Sequence, residues 1–125
     1  MSAVSTSQGR IFRAGSLAGT RRIKGWTWAD WTIGHRHQLY DTLTITVADN
    51  AHFECVSSAD DVDDAEQASF SLETRDGVRL HAEPPHQGPP IRERDCARCR
   101  WSFDFTYEAS NFHRIARAVQ IATTR

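Results

Sequence analysis

The chain has 125 residues, 39% hydrophobic and 25% charged, which suits one globular domain and excludes a disordered chain. No stretch reaches the ~18 apolar residues of a membrane span, no apolar secretory leader stands at the start, and three cysteines cannot all pair, which excludes a disulfide scaffold. The net charge of −1 conceals two basic ends around an acidic middle: residues 41–83 hold eleven acids against Arg75 and Arg79.

Segregated charge acts on association rather than on fold. The blocks are expected to neutralise one another within the fold or between subunits, in a cytoplasmic or virion protein. Residues 1–20 contain no acid and are rich in Ser, Ala and Gly. They read as an N-terminal arm, followed by a single β-rich domain over 21–125. All basic residues but Lys24 are arginine, whose planar fork suits interfaces and phosphates. Arg10, Arg13, Arg21, Arg22 and Lys24 are therefore expected to bind a partner. The run from Arg21 to Trp28 also interleaves basic and aromatic residues, as single-strand nucleic-acid binders do. A pI near 6.6 disfavours a dedicated nucleic-acid protein.

The segment 23–33 holds three of the four tryptophans. Trp26 and Trp28 share one strand face. Trp31 and Ile33 take the other if the strand runs unbroken; a break at Ala29-Asp30 would turn all three tryptophans inward. Leu43, Ile45 and Val47 then alternate with threonines, and His52 to Val56 resumes the extended pattern after Asp49-Asn50. This pattern predicts a hairpin over 42–57. The acidic run Asp60 to Glu66 lacks the glycine and terminal glutamate of a calcium loop and reads as a solvated loop. Phe70 and Leu72, then Val78, Leu80 and Ala82, alternate on either side of Asp76-Gly77. That pair predicts a second hairpin over 68–83, with both turn residues at positive φ.

Four prolines between 84 and 90 predict a loop. Beyond them lies a long aromatic strand, with Cys99, Trp101, Phe103, Phe105 and Tyr107 on one face. The end is ambiguous. Phe112, Ile115, Val119 and Ala122 fit a helix, whereas Ile115, Arg117, Val119, Ile121 and Thr123 alternate as a strand; the alanines favour helix. The expected fold is mainly β, an antiparallel β-sandwich or small barrel of about six strands with a C-terminal helix.

Three site constellations stand out. His81, His86, Cys96 and Cys99 offer two imidazoles and two thiolates, a tetrahedral zinc set with Cys-x2-Cys spacing. His35 and His37 project together from an extended segment, with Asp41 nearby. This pair resembles the metal strand of cupin-like barrels, whose glycine and proline framework is absent here. His52 and Glu54 share a strand face and could join a barrel mouth as acid–base groups. No Gly-x-Ser-x-Gly, phosphate loop or dinucleotide fingerprint occurs. The leading expectation is a non-enzymatic interaction protein. It would be a subunit of a larger assembly such as a phage or viral structural component, or a partner-neutralising protein. Its partner is a protein or a second copy, and no cofactor is expected. The alternatives are a zinc-stabilised domain and a small-barrel enzyme or ligand binder built on the histidines between 35 and 54.

Overall fold

In the computed structural model, residues 3–8, 10–12, 23–33, 36–59, 66–89 and 96–124 are described. They form nine strands: β1 (Ala3–Gln8), β2 (Arg10–Phe12), β3 (Ile23–Ile33), β4 (Arg36–Thr46), β5 (Asn50–Ala59), β6 (Glu66–Glu73), β7 (Arg79–Gln87), β8 (Cys96–Thr106) and β9 (Arg117–Thr124). Two antiparallel sheets result, one in the order β1-β9-β6-β7 and the other β2-β3-β4-β5-β8. The two layers make a sandwich rather than a closed barrel. Three more strands form than the six expected: β1 and β2, by which parts of the first twenty residues pair into both sheets, along β9 and β3, and β9 itself, which stands where a helix was expected.

The core is the meeting of two alternating faces. Trp26, Trp28, Leu43, Ile45, Ala51 and Phe53 point inward from the five-stranded sheet. Ala68, Phe70, Leu72, Ala118 and Ala122 point inward from the other, and all are buried. Small residues on β9 leave room for the indoles opposite, which is how facing layers reach interior packing density. Phe70 is the aromatic hub, with its ring centroid 5.0 Å from Phe53 and 5.8 Å from Trp28. β7 lies over β8, where His81 stacks on Phe105 at 5.5 Å and His86 on Phe103 at 3.9 Å.

The 42–57 hairpin is β4 and β5. Its turn places Asp49 at φ 89° and is clamped by Tyr107, whose amide donates to Asp49 O and whose hydroxyl donates to Thr46 O. Burial pushes that phenol up to about 12. The 68–83 hairpin is β6 and β7, but its turn differs from expectation. Gly77 N donates to Thr74 O and Val78 N to the Thr74 side chain, and only Gly77 takes positive φ, at 88°. This is a type I turn closed by a left-handed glycine, not a two-residue turn with both centres left-handed.

Two further expectations are corrected. Pro84 and Pro85 lie inside β7 rather than in a loop. β7 tolerates them because it is the edge, where one side of its ladder makes no bonds, and because they lie where its register with β6 shifts. The C-terminal helix is instead a short 3₁₀ turn over Ala109–Arg114 followed by β9. Phe112 and Ile115 plug the end of the sandwich. The ladders to β1 and β6 on both sides outweigh the helix preference of Ala116, Ala118 and Ala122.

Candidate functional site

Strand alternation carries polar side chains into the core at one end of the sandwich. Asp41 continues the inward face of Leu43 and Ile45, Cys55 that of Ala51 and Phe53, Glu66 that of Ala68 and Phe70, and Gln120 that of Ala118 and Ala122. Gln38 arrives by a different route. β4 slips relative to β5 between Gln38 and Tyr40, and opposite this point on β3 Asp30 takes a left-handed φ of 53°. The irregularity reverses the facing of the residues beyond it, as a bulge does. Gln38 and Ile33 are thereby buried, and Trp31 packs against the core. The break at Ala29-Asp30 thus turns all three tryptophans toward the interior, as a kink rather than a turn.

The five groups converge. Gln38 Nε2 lies 3.0 Å from Asp41 Oδ2 and 3.4 Å from Cys55 Sγ, and also donates to Glu66 Oε1. Cys55 Sγ lies 3.3 Å from Glu66 Oε2, Trp101 Nε1 donates to the same oxygen at 3.0 Å, and Gln120 Nε2 donates to Asp41 Oδ2 at 3.2 Å. All five side chains are 0–1% exposed. Burial, and then the Glu66 charge, push the Asp41 carboxyl from 3.8 up to about 7. Burial, followed by the neighbouring carboxylates, also pushes the Cys55 thiol far up, so it is an inert thiol rather than a nucleophile. Asp41 Oδ1, Gln120 Oε1 and Ser57 Oγ are buried with no hydrogen-bond partner. Ligand atoms of Asp41, Cys55 and Glu66 lie within 4.8 Å of one another, and this group could hold a metal ion.

Glu66 is held by its backbone as well. Gly88 N donates to Glu66 O at 2.7 Å, and the Trp101 ring lies flat on Gly88. A Cβ there would stand 2.8 Å from Trp101 Cδ2 and Cε2. Gly88→Ala is expected to displace the indole, breaking its bond to Glu66, and to cost about 1–3 kcal/mol in a urea titration.

Among the described residues the expected zinc set does not come together. His81 Nε2 lies 2.9 Å from Glu83 Oε1 and His86 Nε2 lies 2.6 Å from Glu83 Oε2, so one carboxylate holds both rings. Cys99 is disulfide-bonded and offers no thiolate, and the side chain of Cys96 lies outside the described residues. The barrel-mouth set is not assembled either. His35 is outside the described residues. His37 bonds the Thr32 hydroxyl at 3.0 Å, Asp41 is in the core, and His52 is on the outer face of the five-stranded sheet. Of the expected partner-binding residues, Arg13, Arg21 and Arg22 and the side chain of Arg10 lie outside the described residues. Lys24 is turned to internal use, donating to Phe112 O at 2.6 Å and Ile115 O at 2.7 Å. The acidic loop is corrected at its end, since Glu66 is fully buried while 60–65 lie outside the described residues.

On the outer face, His52 lies between Asp104, at 2.6 Å, and Glu54, at 3.0 Å. The hydrogen bond to Glu54 does most to raise its pKa, partial burial opposes it, and Asp104 adds to the rise. An NMR titration is expected to place His52 above 6.5, with Glu54→Gln lowering it. The raised value contributes stability that is full below pH 6.5 and is lost as pH rises through the folded-state value; an unshifted His52 would contradict this geometry. Register aligns Tyr40, Val56 and Arg100 in one row across β4, β5 and β8, beside Thr42, Glu54 and Ser102. Tyr40 is 50% exposed. A shallow depression of about 270 Å³ opens between Glu54, Val56, Arg100 and Ser102. Comparison with family models, with curated proteins and with solved structures found no match to this chain.

Proposed function

We propose that this chain is a non-enzymatic interaction protein, a subunit of a larger assembly that docks through the outer face of its five-stranded sheet. The phage or viral components expected from sequence fall in this class, and a partner-neutralising protein would use the same surface. The observation that carries the reading is the row Tyr40, Val56 and Arg100, set side by side on a rigid sheet next to a depression. Tyrosine and arginine are the residues on which binding energy concentrates, and a flanking apolar side chain helps exclude water. The test is native mass spectrometry of the full chain, alone and co-expressed with the proteins encoded beside it. A defined complex is expected, lost in Tyr40→Ala/Arg100→Glu with no change in melting temperature. A chain that neither self-associates nor binds any of those proteins overturns the reading.

A second reading keeps the expected zinc but moves it to Asp41, Cys55 and Glu66. One sulfur and two carboxylate oxygens suit zinc, and the buried, unpartnered Asp41 Oδ1 and Gln120 Oε1 are acceptors without a donor. Gln38 Nε2 sits among the three groups, and an ion there would displace it. One zinc per chain in tag-free protein, lost in Cys55→Ser, supports this reading. Metal-free protein whose melting temperature ignores added zinc overturns it.

A further inference from the structure

We propose that β8 pairs antiparallel with β8 of a second copy of this chain, about a two-fold axis at Ser102, joining two five-stranded sheets into one of ten. The inference goes beyond the docking reading above: it names a second copy as the partner and places the contact at the edge of the sheet, beside the outer face.

Both sheets end on the same side of the sandwich, one at β7 and the other at β8. The two edges are built differently. β7 carries Pro84 and Pro85 and pairs with two register shifts, which are the devices that blunt an edge against further pairing. β8 has eleven residues with no proline or glycine. Its ladder to β5 is regular from Cys99 to Thr106, and no described strand lies on its other side. From Cys99 to Thr106 this edge has no proline and no register shift, and it becomes a template for another strand wherever that strand answers its charges. Trp101 and Phe103 point inward, yet both remain only partly buried at this edge. A strand alongside would cover them.

The sequence of β8 is self-complementary about Ser102. In an antiparallel pair centred there, Ser102 faces Ser102 and Arg100 of each copy faces Asp104 of the other on the outer face. On the inner face, Trp101 of each copy faces Phe103 of the other. Both described charges on the strand thus meet opposite charges, and both half-exposed aromatics gain an aromatic neighbour, the cross-strand pairs that stabilise sheets. The closed two-fold arrangement uses one patch twice. Sliding the centre to Trp101 leaves Arg100 opposite Ser102 and sets each Trp101 against its own copy, so Arg100 loses its charge partner and Phe103 its facing indole.

Sedimentation equilibrium and cysteine cross-linking of the full chain test the pairing. Arg100→Asp and Asp104→Arg each set like charges opposite one another twice per dimer. Each is expected to weaken the dimer about tenfold, and R100D/D104R together to restore it. Ser102→Cys is expected to yield a reducible covalent dimer under mild oxidation, with an unchanged melting temperature before oxidation. A monomer at every concentration overturns the pairing, as does a dimer that ignores the charge swaps or one that the double swap fails to restore. The docking reading is separable. It survives a failed pairing if Tyr40→Ala still abolishes a complex with another protein, and it falls if no complex of any kind forms.

Discussion

Gln38→Leu is expected to destabilise the fold by about 3–5 kcal/mol, which lowers the melting temperature by roughly 11–19 °C. The side chains are similar in volume, so the cost comes from chemistry rather than packing. Gln38 Nε2 is the shared donor to Asp41, Glu66 and the Cys55 sulfur. Removing it takes one donor from each of these buried groups, leaving Asp41 Oδ2 with Gln120 Nε2 and Glu66 with the Trp101 indole, and a hydrogen bond to a charged group contributes about 1.5–3 kcal/mol. Glu66→Leu alone is also costly, since it orphans the Trp101 indole N–H. The double variant Q38L/E66L is expected to cost less than the sum of the two, because donor and acceptor then leave together. A loss under 1 kcal/mol in Gln38→Leu, measured by urea unfolding, would show that the amide is not what reconciles these groups.

The second large effect is a fall in stability as pH rises from about 4 to about 7. Asp41 ionises near 3.8 in the unfolded chain but holds its proton to about 7 in the fold, through burial and the neighbouring Glu66. Between those values the unfolded state binds fewer protons than the folded state, so stability declines with pH; outside the window the contribution is flat. At about 1.4 kcal/mol per unit the decline amounts to about 4 kcal/mol. Metal-free protein should follow this curve, and Asp41→Asn should flatten it, since the amide carries no proton to lose. Bound zinc would reverse the slope, because the ion needs the deprotonated groups that the proton otherwise occupies. One pair of titrations, with chelator and with zinc, therefore separates a proton-sharing core from a metal-holding one. A flat curve in wild-type protein would sink the assigned role of Asp41.

The outer-face proposals make a separate demand on the molecule. A sheet face can dock a partner only if the sheet is rigid behind it, and the polar core lies directly beneath the Tyr40–Val56–Arg100 row. Gln38 lies two residues before Tyr40 on β4 and Asp41 follows it, and Cys55 precedes Val56 on β5. Variants that loosen the core are therefore unsuitable as binding probes. Outer-face substitutions, which leave the interior untouched, isolate recognition from stability.

Period-two alternation was sufficient to locate both hairpins, the aromatic strand and the mainly β architecture, because side chains on a strand take opposite faces whatever the sheet order. Apolar residues in that alternation must face a core, and so Leu43, Ile45, Phe53, Phe70 and Leu72 are legible one by one. The polar cluster was half legible. Asp41 and Glu66 stand two residues beyond the apolar run and in phase with it, but charge reads locally as surface, and only the opposing sheet reveals where the phase leads. Gln38 carried no local signal, since its burial depends on a slip in β4 opposite Asp30. The end of the chain was undecidable locally. Helix and strand patterns fit 112–123 about equally, and hydrogen bonds from β1 and β6, more than a hundred and about fifty residues upstream, decided for strand. The histidine and cysteine constellations failed for the same reason. Spacing along the chain names the candidate ligands, whereas strand face and sheet order determine which of them meet. His81 and His86 met Glu83, while Asp41, Cys55 and Glu66 met one another.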